Sequence, residues 1–340
     1  MSNTKVTSAE VASLAGVSQS AVSRVFTPGA SASAKTAKKV REAALTLGYR
    51  PNNIARAMVS GKSRIIGLVV AYLDNQFYPD ALEKLSASLQ DRGYHVLIFM
   101  ANTETDNLDK VLDEILDYQV DGIVAASVAL SSELLARCRS AGVPVVLFNR
   151  SQDVDTLSAV TSDNRSGGRK VAKFFAAAGH NRIGYIAGWQ GASTQRDREQ
   201  GFREGLAESG LALHAREVGN FHMDSAREAT LNMFAGPGAP DAVFVANDHM
   251  AFAVMDTLRF ELGLSVPGDV SVVGYDDVPT AAWLAYDLTT VRQPANQMVA
   301  MTVETLLDQI DNTEATPRRV AIDGPLIVRG SARIPEGWTK

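Results

Sequence analysis

Two hydrophobic rhythms divide this chain. Up to about residue 50, apolar positions recur in short bursts at helical spacing. Val11, Leu14 and Ala15 form one set, Val22 and Val25 a second, and Val40, Ala43, Ala44 and Leu47 a third. Apolar residues at i, i+3, i+4 and i+7 line one face of an amphipathic helix, so three short helices are predicted. From Ser63 onward the rhythm changes to short, nearly continuous apolar runs at 65–70, 96–100, 122–125 and 143–148. It restarts at 183–187, 242–246 and 270–274. The segments 80–92 and 106–118 between them carry helical periodicity. Buried strands alternating with helices predict doubly wound parallel sheets. Two such runs predict two subdomains with a cleft between them. Ligands of such sheets bind outside the carboxyl ends of the strands, so strand-end residues are the place to search.

The first segment carries further signals. Thr7 and Glu10 have the T-x-x-E spacing of a capping box, which satisfies the orphan N–H groups of a helix start. Gly16 suits a left-handed residue that ends the first helix, and Val17 can plug the turn. Ser18 caps a second helix reaching to about Phe26, with Val22 and Val25 turned toward the first. Ser33 caps a third, which Gly48 ends. Two short helices around a tight turn make a helix-turn-helix, whose second helix can enter a DNA major groove. Gln19, Ser20, Ser23 and Arg24 are left facing outward, and these side chains can hydrogen-bond base edges.

Charge sharpens this picture. The whole chain has a formal charge of −5. Residues 1–62 nevertheless contain nine Lys or Arg and two Asp or Glu, a charge of +7, so the remainder carries −12. A basic head on an acidic body predicts a polyanionic partner for the head alone. The remaining composition, with 46% hydrophobic residues, is that of an ordinary globular chain of two or three domains. No export signal and no apolar run long enough to span a membrane is evident, so a cytoplasmic, nucleoid-associated protein with no membrane partner is expected. The single cysteine, Cys138, sits in an amphipathic pattern as a small buried residue. No G-x-S-x-G or H-E-x-x-H occurs, and the five histidines have no metal-ligand spacing. No catalytic residue, metal or cofactor is therefore assigned. The 188–191 segment resembles part of a dinucleotide fingerprint but lacks its third glycine, which argues against a Rossmann enzyme.

Several motifs together resemble the lactose-repressor (LacI/GalR) family, from about Thr7 to Pro335. They are Ala15-Gly-Val-Ser18 followed by Val22-Ser-Arg-Val25, Ser33-Ala-Lys-Thr36, and Leu47-Gly-Tyr-Arg-Pro-Asn52. Gly179-His-Asn-Arg-Ile-Gly184, Ala246-Asn-Asp248, Val273-Gly-Tyr-Asp-Asp277 and Val328-Arg-Gly-Ser331 follow in order. The resemblance implies an all-α helix-turn-helix headpiece at 1–50, a hinge helix at 51–62, and an α/β periplasmic-binding-protein-like core at 63–332. The first subdomain of that core would take 63–162 and 295–320, the second 163–292 and 321–332, with crossovers near Ser162, Arg292 and Ile322. It implies a pseudopalindromic double-stranded DNA operator, bound by a homodimer. No leucine heptads follow Ser331, so a dimer rather than a coiled-coil tetramer is expected.

The resemblance also distributes roles. Gln19, Ser20 and Arg24 map onto base-reading positions, and Ser18, Ser23 and Asn52 onto phosphate or capping contacts. Ala55 and Met58 fall on the hinge. Met58 stands where the family has a minor-groove Leu wedge, a departure that leaves the depth of insertion open. A helix this short is marginal alone, so the hinge is expected to fold only on its DNA site. In the core, Arg198, Asn247 and Asp276 match effector-gripping positions, and Phe221 an aromatic platform. Phe77, Tyr78, Asn149 and Trp189 complete the expected effector site. A sugar or sugar derivative is the expected effector, with a purine stacked on Phe221 as the alternative. A plain sugar-binding protein would account for the core but not for the basic head.

Overall fold

The computed structural model describes residues 6–27, 30–50, 62–101, 108–128, 130–154, 156–312 and 314–338. Asn52, Ala55 and Met58 lie outside the described residues. The chain groups into two compact units, 1–63 and 64–340.

The first unit is three helices, α1 (Ser8–Ala15), α2 (Gln19–Phe26) and α3 (Ala34–Leu47). Thr7 and Glu10 form the reciprocal capping box, Glu10 Oε2 accepting from the Thr7 N–H at 2.7 Å. Gly16 takes φ +65°, which a side chain would strain, and so turns the chain sharply into Ser18, the cap of α2. Val11, Ala12, Ala15, Val22, Val40, Ala43 and Ala44 form the small core. Leu14 was expected in that core but is 54% exposed. Helix α1 packs against both α2 and α3, so its buried stripe rotates to 11, 12 and 15 and leaves Leu14 outside.

The second unit contains two six-stranded sheets. Its first half runs β1 (Ile65–Val70), α4 (Phe77–Gln90), β2 (His95–Met100), α5 (Leu108–Asp117), β3 (Gly122–Ala126), α6 (Ser132–Ser140), β4 (Val145–Phe148) and β5 (Ser158–Ser162). Next come α7 (Asn164–Ala177), β6 (Ile183–Ala187), α8 (Ser193–Glu208), β7 (Ala215–Val218), α9 (Met223–Phe234), β8 (Ala242–Val245), α10 (Asp248–Asp256) and β9 (Ser271–Asp276). The chain closes with β10 (Thr289–Arg292), α11 (Ala295–Asp311), β11 (Arg319–Ile322) and β12 (Leu326–Ile327). The first sheet has the order β11-β5-β4-β3-β1-β2, the second β12-β10-β9-β8-β6-β7. All pairings are parallel except β10 with β12. Central strands β3, β4, β6, β8 and β9 are buried along their whole length, which is why they read as unbroken apolar runs.

The chain passes between the sheets three times. It leaves the first after Ser162, returns after Arg292, and leaves again after Ile322. Helix α11 packs on α4 and on β3, β4 and β5, so a late segment completes the first lobe. Strand β11 pairs through Ile322 with Ser162, so Ala321 and Ile322 belong to the first sheet. They do not belong to the 321–332 segment assigned above to the second subdomain. The three crossings lie together, with the Asp163 N–H donating to the Ile322 carbonyl at 2.8 Å.

Helices α7 and α8 touch backbone to backbone. A Cβ at Gly168 would lie 2.2 Å from the Arg198 carbonyl oxygen, and one at Gly201 2.0 Å from that of Arg165. Only glycine allows this approach, and it fixes the helix that carries Arg198. Among the described residues no helix is long and apolar enough to cross a membrane.

Candidate functional site

The headpiece presents α2 outward. Gln19, Ser20, Ser23 and Arg24 are all exposed, while Val22 on the opposite side is fully buried. Ser18 is committed as the α2 cap, its Oγ accepting from the Ala21 N–H and sharing a 2.9 Å hydrogen bond with Ser20 Oγ. Gln19 Nε2 donates to Ser8 Oγ at 2.8 Å, which ties the start of α2 to the start of α1. Lys35, Lys38, Lys39 and Arg41 are exposed along α3. The unit thus offers an exposed surface rich in basic and polar side chains, the kind that meets a polyanion.

In the second unit the carboxyl ends of the strands of both sheets converge on one narrow cleft. It is lined by Tyr72, Asn75, Tyr78, Asn149 and Arg150 from the first lobe, and by Thr194, Arg198, Phe221, Asn247 and Asp276 from the second. Several lining residues stand at or just past the end of a strand with positive φ: Asn149 at +69°, Phe221 at +66° and Asp276, the last residue of β9, at +123°. Such backbone is costly and is retained where a side chain must be aimed.

Arg198 is buried and fully committed. Its Nε donates to Asn164 Oδ1 at 2.8 Å and its Nη1 to the Ala246 carbonyl at 2.6 Å. Its Nη2 lies 3.4 Å from Asp276 Oδ1, and the guanidinium stacks 3.7 Å above the Tyr275 ring. Asp276 also accepts from Gln293 Nε2 at 2.8 Å and, across the cleft, from Asn75 Nδ2 at 2.9 Å. Burial pushes the Asp276 carboxyl above its ordinary value, with the Arg198 charge opposing. Behind it, the wholly buried Asp248 accepts from Thr290 Oγ1 and the Val278 N–H. Burial, and then the neighbouring charge of Asp276, push its carboxyl well up. Asn247 Oδ1 caps α10 by accepting from the Met250 N–H at 3.0 Å. Tyr78 Oη accepts from Ser127 Oγ and from Asn149 Nδ2.

The lobes are drawn together across this cleft. Besides Asn75–Asp276, the Ser151 N–H donates to Ser193 Oγ at 2.9 Å, and Thr280 Oγ1 to Gln76 Oε1 at 2.8 Å. The space left is about 10 Å³, on the scale of one water molecule. A larger cavity of about 400 Å³ opens beside the crossovers, sharing Asp276 and bounded by Gln76, Asp80, Lys84, Arg292 and Gln293. Phe77 is the one aromatic in its lining, and Asn149, Arg198, Phe221 and Asn247 do not line it, so the cleft is the better candidate.

Six of the eight expected effector residues meet here: Tyr78, Asn149, Arg198, Phe221, Asn247 and Asp276. Phe77 does not join them. It is a core residue stacked on Phe148 at 6.2 Å and borders the larger cavity. Trp189 is 45% exposed and stands outside the lining, though its ring lies 5.9 Å from the Arg150 guanidinium. Tyr72, Asn75, Arg150 and Thr194 were missed. Arg150 had a signal, since it directly follows Asn149 at the end of an apolar strand. Asn75 and Thr194 lie on loops and helix starts, where only the folded chain reveals their direction.

The comparisons agree along the chain. A model of bacterial regulatory proteins of the lacI family matches residues 7–52, and a periplasmic binding protein-like domain matches residues 172–332. The HTH-type transcriptional repressor PurR of Aliivibrio salmonicida is 30% identical over 328 residues, covering 95% of this chain and 97% of that protein. A solved complex of the transcriptional regulator CelR with cellobiose is 30% identical, covers 96% of this chain and 100% of its own, and superposes with a TM-score of 0.73. The Lac repressor dimer bound to operator and the anti-inducer ONPF is 26% identical, covers 96% of this chain and 99% of its own, and gives a TM-score of 0.86. The chain belongs to the lacI family of bacterial regulatory proteins: it is a DNA-binding, ligand-responsive transcriptional regulator and not an enzyme.

Proposed function

We propose that this regulator is a repressor that binds a pseudopalindromic operator as a homodimer, and that a small sugar or sugar derivative in the cleft sets its operator affinity. Arg24, Gln19 and Ser20 read base edges, with Ser18 and Ser23 on the phosphates. Asn52, Ala55 and Met58 supply the hinge contacts, on the resemblance alone. Such a protein works in the cytoplasm, at the nucleoid.

One observation carries the effector reading. The Asn75–Asp276 hydrogen bond joins the two lobes through the same carboxylate that Arg198 orients. A ligand hydroxyl that engages Asp276 competes with the bond that holds the lobes, so occupancy and lobe position are coupled. A polar lining with Phe221 as its aromatic wall suits a sugar. The similarity to a cellobiose complex supports the same class. Homodimerisation is supported by apolar side chains that the single chain leaves exposed. Ile98 and Met100 lie on the edge strand β2, and Phe260, Trp283 and Leu284 on the second lobe.

The test is thermal melting of the full chain with a panel of sugars and nucleobases. Trp fluorescence is the readout, since Trp189, Trp283 and Trp338 all lie in the second unit. A ligand at a hundred times its Kd stabilises by about 2.7 kcal/mol and must raise the melting point. A nucleobase that raises it where no sugar does would overturn the sugar reading in favour of a purine. Unchanged ligand response after Arg198→Ala would overturn the site.

A further inference from the structure

Asn164 joins the cleft to the first crossover between the lobes. It is the first residue of α7 and is 4% exposed, yet it does not line the cleft. Its Oδ1 accepts from Arg198 Nε at 2.8 Å, and its Nδ2 donates to the Ser162 carbonyl at 2.9 Å. A carboxamide carries an acceptor and a donor on one short stem, so it spans a guanidinium on one side and a carbonyl on the other. The reverse orientation would set donor against donor and acceptor against acceptor, so the two contacts fix a single placement.

The strand end that Asn164 holds is the crossover itself. Ser162 ends β5 and pairs with Ile322 of β11, and the Asp163 N–H that follows donates to the Ile322 carbonyl. A second contact runs beside the first. Ser162 Oγ and Tyr275 Oη share a hydrogen bond of 3.1 Å, and the Tyr275 ring stacks on the Arg198 guanidinium. An acceptor alone would suffice to align Arg198. The donor on the Ser162 carbonyl goes beyond that need, and it is the group that reaches the crossover.

We propose that Asn164 transmits occupancy of the cleft to the first crossover. A ligand that draws on the Arg198 guanidinium moves the Asn164 amide with it, and the amide turns the backbone at Ser162, where one lobe swings on the other. Asn164 is thus a positioning residue that couples the two sites without touching the ligand, through a continuous chain of hydrogen bonds. This rests on the reading of the cleft as the effector site.

The experiment separates ligand binding from its consequence. Asn164→Asp keeps an oxygen for Arg198 but replaces the Nδ2 donor by a second oxygen, which cannot bond the Ser162 carbonyl. A carboxylate in the first turn of a helix is favourable, which protects the fold. Ribose, glucose, galactose and cellobiose are titrated into the full chain by calorimetry, and affinity for a duplex selected from a random pool is measured with and without each. In Asn164→Asp the sugar binds within about threefold of its wild-type affinity, while its effect on duplex affinity falls about fivefold or vanishes, the scale of one hydrogen bond. Asn164→Ser, too short to span both partners, shows the same loss of coupling. Coupling that survives in both variants, or sugar affinity that falls along with it in Asn164→Asp, overturns the inference. A ligand-free arm follows hydrogen exchange of the segment 158–168. Arg198→Lys, which keeps the charge but not the Nε contact, and Asn164→Asp each speed it by roughly threefold or more, and the double variant goes no further, as expected of residues in one network. No acceleration, or additive acceleration, overturns the inference as well. If no sugar binds the wild type, or none alters its duplex affinity, the reading of the cleft falls instead, and the exchange arm alone decides the role of Asn164.

Discussion

Replacing Arg198 by methionine keeps most of the aliphatic stem and deletes the charge. In the native chain Arg198 Nη2 stands 3.4 Å from Asp276 Oδ1, and both side chains are almost wholly buried. At an effective dielectric of about 20, unit charges at that separation attract by about 5 kcal/mol. The variant also leaves the Ala246 carbonyl and Asn164 Oδ1 without their donors. Breaking a buried pair from one side costs about 3–5 kcal/mol, a large part of a domain's stability of about 5–15 kcal/mol. Urea unfolding of the full chain, followed by Trp fluorescence, reads this loss from the second unit. Its pH dependence is the sharper part. Burial already holds the Asp276 carboxyl above its ordinary value against the pull of Arg198, and losing Arg198 raises it further. A carboxyl raised on folding contributes stability below its unfolded value of about 3.9 and loses it as the pH rises through the folded value. The deficit of Arg198→Met is therefore greatest at neutral pH and shrinks on acidification toward that unfolded value. Asp276→Asn in the same chain recovers part of it. A loss under about 1 kcal/mol, or one equal at pH 5 and pH 7, would refute Arg198 as the counter-ion of Asp276.

Other outcomes follow from single contacts. Arg24→Ala weakens binding to the cognate duplex by about 1–3 kcal/mol, roughly fivefold to 150-fold by fluorescence anisotropy, and leaves the melting point unchanged. An equal loss on random DNA would assign Arg24 to phosphate instead. Gly168→Ala drives a methyl into the Arg198 carbonyl. It should cost about 1–3 kcal/mol or more in urea unfolding and blunt the ligand's shift of the melting point; wild-type behaviour in both would contradict the backbone contact of α7 and α8. Asp248, its carboxyl raised by burial and by Asp276, is compared with Asp248→Asn. The wild type gains stability relative to the variant as pH falls from neutral toward the unfolded carboxylate value, and a pH-independent difference would exclude a raised carboxyl.

What the sequence discloses follows from which interactions are local. The capping box of Thr7 and Glu10, the Gly16 turn and the Ser18 and Ser33 caps are all settled within a few residues, and each is present in the fold. Strands buried on both faces announce themselves as apolar runs. Strands β7, β10, β11 and β12 are edge or near-edge pieces of only two to four residues, too short to form an apolar run, and they exist because a neighbour pairs with them. Leu14 was misplaced because helical spacing gives the angle of a stripe but not which of two partners it faces. In the cleft, Arg198 and Asp276 are legible from motif position. The use of Asn75 is not, because its partner is 201 residues away across the lobes. Phe77 and Tyr78 are neighbours that a helix start sends to different destinations, one to the core and one to the cleft.

The central claim is that occupancy of the cleft changes DNA binding by the headpiece. The direct measurement is the affinity of the full chain for a duplex selected from a random pool, with and without a saturating concentration of the sugar that most raises the melting point. The account predicts a change of about fivefold or more at fixed salt, the lower end of ordinary allosteric coupling, and its disappearance in Arg198→Ala. Equal affinities with the cleft filled and empty would contradict it.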